Sequence, residues 1–136
     1  IVTVKKEIDG FILNRLQGAL LNEAMRLYSE GYASSDDIDA TIKDGLGLRW
    51  AFMGPFETID LNAPGGIKDY MARYGSIFIE MAKTQTKIPD WSENAGKKLE
   101  LERRKILSEN DLEKRAKKRN FLLKQLRRLK IENNET

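Results

Sequence analysis

The sequence predicts an all-α fold of five or six helices. Apolar residues recur at three- and four-residue spacing along most of the 136 residues, which is the pattern of amphipathic helices. Helix signals separate these segments, with serine or aspartate at expected starts and glycine at expected ends. Five of the ten glycines and two of the three prolines fall within residues 45–66, so breakers of regular structure are concentrated in one stretch.

The first predicted helix runs from Phe11 to Glu30 and is ended by Gly31. Phe11, Leu21 and Met25 widen its apolar surface beyond a single stripe. A helix that is apolar on several sides is normally enclosed by other elements. We therefore expect this helix to be buried on more than one side.

Two shorter helices follow. Ser34 or Ser35 is a suitable N-cap for the second helix, and aspartates in its first turn interact favourably with the helix dipole. Gly45 is expected to close that helix. Pro55 suits the first position of a third helix over residues 56–62, because its missing N–H group would be unpaired there in any case.

The second half of the chain predicts three further helical segments. Residues 66–83 carry the clearest amphipathic stripe, and residues 92–107 have few strong apolar positions. The last helix starts after the cap residues at 108–111, and residues 132–136 are expected to fray. Its apolar face comprises Leu112, Ala116, Leu122, Leu126 and Leu129.

Charge is unevenly distributed along the chain. The net formal charge of +3 combines −4 over residues 1–96 with +7 over residues 97–136. A basic terminal third is compatible with binding to nucleic acid. It also alternates in sign, as in Glu100, Glu102 and Arg103, which is typical of a solvated helix. We favour the solvated helix.

Composition excludes several kinds of site. The chain contains neither cysteine nor histidine, so it has no disulfide, no thiol nucleophile, no thiolate metal ligand and no imidazole base. No apolar run reaches the roughly 18 residues that span a membrane, and no signal peptide is visible. A cytoplasmic location is the simplest expectation. Residues 1–4 (I-V-T-V) predict a strand without a partner, which indicates a piece of a longer chain.

Residues 45–66 are open to two interpretations. They form either tight connections between helices or a shaped loop that presents polar groups to a ligand. The polar or charged groups of this stretch are Arg49, Trp50, Glu57, Asp60 and Asn62. Glu57 and Asp60 are one helical turn apart and could pair as carboxylates, although Glu57 also suits a helix amino end. Asp36, Asp37 and Asp39 are interpreted as first-turn residues of a helix rather than as metal ligands.

Asn14 is an amide in the first turn of the most apolar helix. A buried amide needs a hydrogen-bond partner, which is either a nearby protein group or a ligand. From the residues alone, a local protein partner is the safer interpretation.

Ordered motifs nevertheless resemble one family. Residues 10–16 read G-F-I-L-N-R-L and resemble the start of the C-terminal domain of 3-hydroxyacyl-CoA dehydrogenases. Residues 22–24 (N-E-A), 37–39 (D-I-D) and 53–57 (M-G-P-F-E) follow in the order of that family. Residues 49–52 and 61–66, together with the basic tail, are similar to the lambda-crystallin branch of the family, the L-gulonate 3-dehydrogenases.

The resemblance implies an NAD-dependent oxidation of a 3-hydroxy group to a 3-keto group. Its fold would be the multi-helix C-terminal domain of the 6-phosphogluconate-dehydrogenase-like type, without the N-terminal Rossmann domain that binds NAD. Residues 1–9 would be a remnant strand and crossover, residues 10–88 the helical substrate and dimerisation domain, and residues 89–136 a basic helical extension packed on it. Asn14 is the one family active-site residue that maps onto this chain, with a catalytic role.

The resemblance also implies partners: a small 3-hydroxy acid or a 3-hydroxyacyl-CoA, a second copy of the chain, and the chain's own Rossmann domain. Arg49 and Asn62 are candidate substrate-binding residues, since a guanidinium binds a carboxylate through two parallel hydrogen bonds. The alternatives are the same domain of a dehydrogenase in fatty-acid oxidation, and a non-catalytic, crystallin-like dimer module. We expect no nucleic-acid, membrane or metal partner, and no NAD binding or turnover by this chain alone.

Overall fold

Helices make up most of the chain in a computed structural model, which describes residues 2–134. The described residues contain no β-strand. The helices are α1 (Phe11–Ser29), α2 (Ser35–Ala40), α3 (Gly47–Trp50), α4 (Pro55–Leu61), α5 (Gly66–Thr84), α6 (Glu93–Ile106) and α7 (Leu112–Glu132). A π-helical turn (Thr41–Leu46) joins α2 to α3, and a 3₁₀ turn (Glu109–Asp111) precedes α7. Counting α2 to α3 as one continuous segment, this part of the chain holds six helical segments, and the predicted all-α class is confirmed.

Several helix boundaries follow from local signals, as predicted. Gly31 ends α1 with a φ of 79°, and the Tyr32 N–H donates to the Leu27 carbonyl at 2.9 Å, which is the Schellman arrangement. The hydroxyl of Ser34 caps α2 by accepting a hydrogen bond from the Asp37 N–H. Pro55 is the first residue of α4.

The predicted helix end at Gly45 is wrong. Helical structure continues through the π turn into α3, and Gly45 is not among the glycines with positive φ. A glycine ends a helix when it adopts the left-handed conformation, as Gly31 does. Gly47, two residues further on, is required for a steric reason, because a Cβ atom there would lie 2.8 Å from the Ile42 carbonyl oxygen.

The predicted amino-terminal strand is not formed in the described residues. Residues 2–9 contain only bends, turns and irregular backbone, and Ile1 lies outside the described residues. A β-strand needs a neighbour to pair its backbone groups, and residues 2–134 offer none. That residues 1–9 descend from a sheet in a longer chain stays a prediction.

Very little of the chain is buried. Only Met25, Ala63, Ser35 and Thr58 are buried among the described residues. The accessible surface is 11593 Å² for a 15.6 kDa chain, whereas a compact monomer of that mass exposes about 7,000 Å². The helices therefore form an open arrangement. Met25 of α1 and Ser35 of α2 are buried in one place, and Thr58 and Ala63 are buried in and just after α4.

The expectation that α1 is buried on more than one side is wrong for the single chain. Phe11 is 61% exposed, Leu13 is 75% exposed and Leu16 is 61% exposed. Only Met25 in the second half of α1 is buried. The amino-terminal half of α1 thus presents an apolar surface that no other element of the described chain covers.

Helices α4 and α5 form a hairpin that is closed by a carboxylate. Asp60 accepts a hydrogen bond from the Ile67 N–H at 2.7 Å, in the first turn of α5. Gly66 takes a φ of 72°, and a Cβ there would lie 2.7 Å from the Asp60 carboxylate oxygen. Asp60 is therefore a structural cap, which answers the question of whether it pairs with Glu57.

The carboxyl-terminal third divides into two parts. Ser92 caps α6, and α6 packs against α2. Within the described residues α7 packs chiefly against the 3₁₀ turn that precedes it. That residues 89–136 as a whole pack on the helical domain of residues 10–88 stays a prediction. Among residues 2–134, no helix combines the length and the apolar character needed to cross a membrane.

Candidate functional site

Asn14 lies in the first turn of α1, and its side chain is exposed. An exposed amide does not need a protein partner, so the local hydrogen bond that we favoured from the residues alone is not required. Gly10 precedes the helix with a φ of 80°, and a Cβ at that position would lie 3.8 Å from the Asn14 Cβ. The left-handed backbone at position 10, and not a steric clash, is what favours glycine there.

The amino end of α1 has no side-chain cap and no acidic residue in its first turn. The first N–H groups of a helix have no partner within the helix, and the helix dipole makes this end partially positive. The arrangement around Asn14 is thus suited to an electron-rich oxygen. The free backbone N–H groups at this helix end add further hydrogen-bond donors to the Asn14 side-chain amide, which was singled out from the sequence.

Arg49 and Asn62 are also exposed. Arg49 belongs to α3, directly after the π turn, and Asn62 follows the last residue of α4. Helix α3 packs against α4, so these two residues lie on neighbouring elements. Helix α1 packs mainly against α2. The single chain therefore brings the elements of Arg49 and Asn62 together but leaves Asn14 on a separate part of the structure.

A charged cluster on the second half of α1 was missed from the sequence. Arg26 donates to Glu23 at 2.9 Å and to Glu30 at 3.1 Å, and Lys87 lies 3.6 Å from Glu30. The hydrogen bond from Arg26 holds the pKa of Glu23 below its ordinary value and raises the pKa of Arg26. A polar hollow of about 430 Å³ adjoins the cluster, lined by Ala19, Asn22, Glu23, Arg26, Gln85 and Lys87. The three- and four-residue spacing of the charges could have revealed it.

The carboxylates of α2 are engaged within the protein. Arg103 of α6 lies 3.3 Å from Asp39 and 3.6 Å from Asp36, and Asp37 accepts from Ser34 in the N-cap. Among the described residues no group of three or more acidic side chains converges on a possible metal position. Asp36 and Asp37 lie in the first turn of α2, as interpreted, whereas Asp39 lies beyond that turn and pairs with Arg103.

An apolar groove of about 440 Å³ lies along the α4–α5 hairpin. It is lined by Pro55, Phe56, Ile59, Ile67, Tyr70, Met71, Gly75, Phe78 and Ile79. Phe56 is 75% exposed and Met71 is 63% exposed. Surface of this kind normally marks a site of protein association or ligand binding.

Comparison with known proteins identifies the class. A family model described as 3-hydroxyacyl-CoA dehydrogenase, C-terminal domain, matches residues 10–108. The chain therefore belongs to the family of 3-hydroxyacyl-CoA dehydrogenase C-terminal domains. The resemblance read from residues 10–57 is confirmed, and α7 lies beyond the matched range.

Three individual proteins show how similar the chain is to its relatives. The lambda-crystallin homolog of Rattus norvegicus is 50% identical over 91 residues, which cover 67% of this chain and 28% of that protein. Lambda-crystallin of Oryctolagus cuniculus has the same identity and coverage. An L-carnitine dehydrogenase of Oceanobacillus iheyensis is 32% identical over 125 residues, covering 90% of this chain and 40% of that protein. The chain thus spans less than half the length of these relatives.

Proposed function

We propose that this chain is the substrate-binding and dimerisation domain of an NAD-dependent oxidoreductase that converts a small 3-hydroxy acid, similar to L-gulonate, to the 3-keto acid. The observation that carries the proposal is the exposed Asn14 amide at the open amino end of α1, in a chain that belongs to the 3-hydroxyacyl-CoA dehydrogenase family. NAD would be bound by a Rossmann domain outside this chain, and we assign no residue of the chain to the cofactor. The cytoplasmic location stays a prediction.

Asn14 is assigned a catalytic role in this proposal. When a hydroxyl is oxidised to a carbonyl, its oxygen loses a proton and carries negative charge in the transition state. A preorganised amide donor aimed at that oxygen stabilises this charge more than it stabilises the bound substrate. The open amino end of α1 contributes in the same direction, because its N–H groups and dipole favour negative charge.

Arg49 and Asn62 are assigned to substrate binding. Both are exposed. Arg49 lies on α3, and Asn62 directly follows α4, which packs against α3. The Arg49 guanidinium suits a carboxylate. A free hydroxy acid carries this carboxylate, whereas in a coenzyme A thioester the carboxylate has been converted to the thioester. The relatives named L-carnitine dehydrogenase support a free acid over a thioester. Because α1 packs mainly on α2, the substrate site would be completed only when the Rossmann domain or a second copy is present.

Dimerisation is supported by the uncovered apolar surface. The amino-terminal half of α1 and the α4–α5 groove together expose many large apolar side chains, and the chain has far more accessible surface than a compact monomer. A two-fold dimer is the commonest way in which soluble proteins cover such a surface. Burying these residues against a second copy would give the chain the core that it lacks alone.

Replacement of Asn14 by alanine tests the catalytic assignment in an enzyme that contains this chain and its Rossmann domain. We expect kcat to fall about 10²–10³-fold, which is typical for the loss of one donor to a developing oxyanion. Thermal unfolding should remain near that of the parent, since Asn14 is exposed. Asn120→Ala, an exposed amide on α7, is the matched control and should retain full turnover. Normal turnover in Asn14→Ala would remove Asn14 from the mechanism.

A further inference from the structure

Helix α7 is long, basic and largely without a partner in its own chain. It spans 21 residues with nine lysines and arginines against two glutamates, and it is about 30 Å long at the usual helical rise. Within the described residues it packs chiefly against the 3₁₀ turn before it. The family model ends at residue 108, so α7 lies beyond it.

The apolar residues of α7 lie on more than one side of the helix. Phe121 and Leu123 are 59% and 56% exposed, and two positions along a helix point about 160° apart. Leu122, Leu129 and Ile131 are roughly half exposed as well. A helix lying on a membrane keeps its apolar residues on one face, and a nucleic-acid arm does not need them. The distribution fits contact with a protein surface that is acidic and partly apolar.

The segment from α2 to α3 offers such a surface. Asp36 and Asp39 lie within ion-pair distance of Arg103, and Asp44 lies 3.3 Å from Lys43. Each of these carboxylate side chains is nevertheless about two-thirds exposed and can accept a further cation, and Leu48 is 67% exposed. The continuous segment of 16 residues is about 24 Å long, so it matches most of α7 in length. In its own chain α7 does not pack against this segment to any extent comparable with α6.

We propose that α7 of one copy docks along the α2–α3 segment of a second copy, so that two such contacts fasten the homodimer. The partner is a second copy because residues 1–96 carry a net charge of −4 and α7 carries +7, whereas two α7 helices would repel each other. The hollow of about 270 Å³ lined by Leu107, Asp111, Lys114, Arg115 and Lys118 receives a carboxylate of the partner's segment. The inference rests on the dimer part of the proposed function and not on its catalytic part.

A charge exchange tests the contact in the 136-residue chain. One variant carries Lys114→Glu and Lys118→Glu in α7, and a second carries Asp39→Lys and Asp44→Lys in the α2–α3 segment. Asp36 is kept so that Arg103 retains one carboxylate. Each variant alone should dimerise at least about tenfold more weakly by sedimentation equilibrium, because like charges face each other. An equimolar mixture should regain the parent affinity, since both contacts are then complementary.

Controls separate this result from a general effect of charge. Lys5→Glu with Lys97→Glu makes the same change in net charge outside α7 and should dimerise like the parent. A chain ending at residue 108 does not depend on the folding of substituted helices, and it should show the same weakening. Parent-like dimerisation of the α7 variant or of the shortened chain would overturn the inference and leave the rest of the dimer proposal standing. A monomeric parent would overturn both.

Direct binding experiments test two other possible partners of α7, an anionic membrane surface and nucleic acid. Parent chain is mixed with phosphatidylcholine vesicles containing phosphatidylserine, and separately with a duplex DNA, at physiological salt. We expect neither to bind when the chain is dimeric, because α7 is then covered. Binding by the dimer that Lys114→Glu with Lys118→Glu abolishes would overturn the inference in favour of an anionic surface.

Discussion

The Glu102 carboxylate accepts two hydrogen bonds from Ser35, one from the backbone N–H at 2.7 Å and one from the hydroxyl at 2.8 Å. These bonds join the start of α2 to the middle of α6 across 67 residues of sequence. Ser35 is one of the few buried residues, so the contact anchors α6 on a buried part of α2. The first of the two bonds, from the Ser35 backbone, and then the hydroxyl bond hold the pKa of Glu102 below its ordinary value.

This contact predicts a loss of stability in acid. A carboxyl whose pKa is lowered by folding stabilises the folded state above its unfolded-state pKa, and this contribution disappears as pH falls through the folded-state value. For Glu102 the loss begins as pH drops below the ordinary value of 4.5. Glu102→Gln should therefore destabilise the chain near pH 7 in urea unfolding, and the difference from the parent should shrink below about pH 4.

Two further variants make that measurement specific. Glu100→Gln changes an exposed carboxylate two residues away on α6 and should leave the pH profile unchanged. Ser35→Ala removes only the hydroxyl donor and should cost about 1 kcal/mol. A difference between Glu102→Gln and the parent that stays constant from pH 7 to pH 3 would contradict the assigned role of the carboxylate.

Arg49→Ala should affect substrate binding more than turnover in the enzyme that contains this chain. A guanidinium that binds a substrate carboxylate makes the same contact in the ground state and in the transition state, so its loss raises KM with little change in kcat. We expect KM to rise by about tenfold or more, since charge-assisted bonds contribute about 1.5–3 kcal/mol. Steady-state kinetics with a substrate that lacks the carboxylate is the control, and it should be indifferent to the change. A fall in kcat alone would argue against this role.

Met71→Asp should weaken the dimer. Met71 is exposed in the α4–α5 groove of the single chain, and a charge placed there would have to be buried without a partner in the dimer. Light scattering at tens of micromolar should show a dimer for the parent chain and a larger monomer fraction for the variant. Lys68 on the same helix is already polar and exposed, so Lys68→Asp serves as the control. A parent chain that scatters as a monomer would contradict the dimer itself.

Helix positions were predictable where the deciding interactions are local. The hydroxyl of Ser34, the ring of Pro55 and the left-handed backbone of Gly31 each act within a few residues of their own position. Gly45 shows the limit of such signals, because whether a glycine ends a helix depends on the backbone angle that its surroundings impose. The cap from Asp60 to Ile67 spans seven residues, and from the sequence Asp60 was considered only as a possible partner of Glu57 in a carboxylate pair.

The candidate site was predictable only in part. Asn14 and the family could be predicted because a short sequence motif carries both. The exposure of the Asn14 amide could not be predicted, because it depends on the lack of a described element that covers this part of α1. Arg49 and Asn62 were plausible as polar residues among glycines and prolines. The packing of α3, which carries Arg49, against α4, which Asn62 directly follows, is a property of the fold. The Arg26 cluster was accessible from charge spacing and was missed.

The sequence by itself determined the all-α class, most helix boundaries, the family and the division of charge between an acidic body and a basic tail, since these depend on residue identity and short-range spacing. Tertiary structure alone decided that Glu102 reaches Ser35. It also decided that, among the described residues, α1 and the α4–α5 hairpin leave their apolar sides uncovered and α7 packs on little besides the turn before it. The physical reason is that burial and long-range hydrogen bonding depend on which elements meet in space, and an amphipathic pattern shows that a face needs a partner without showing which surface supplies it.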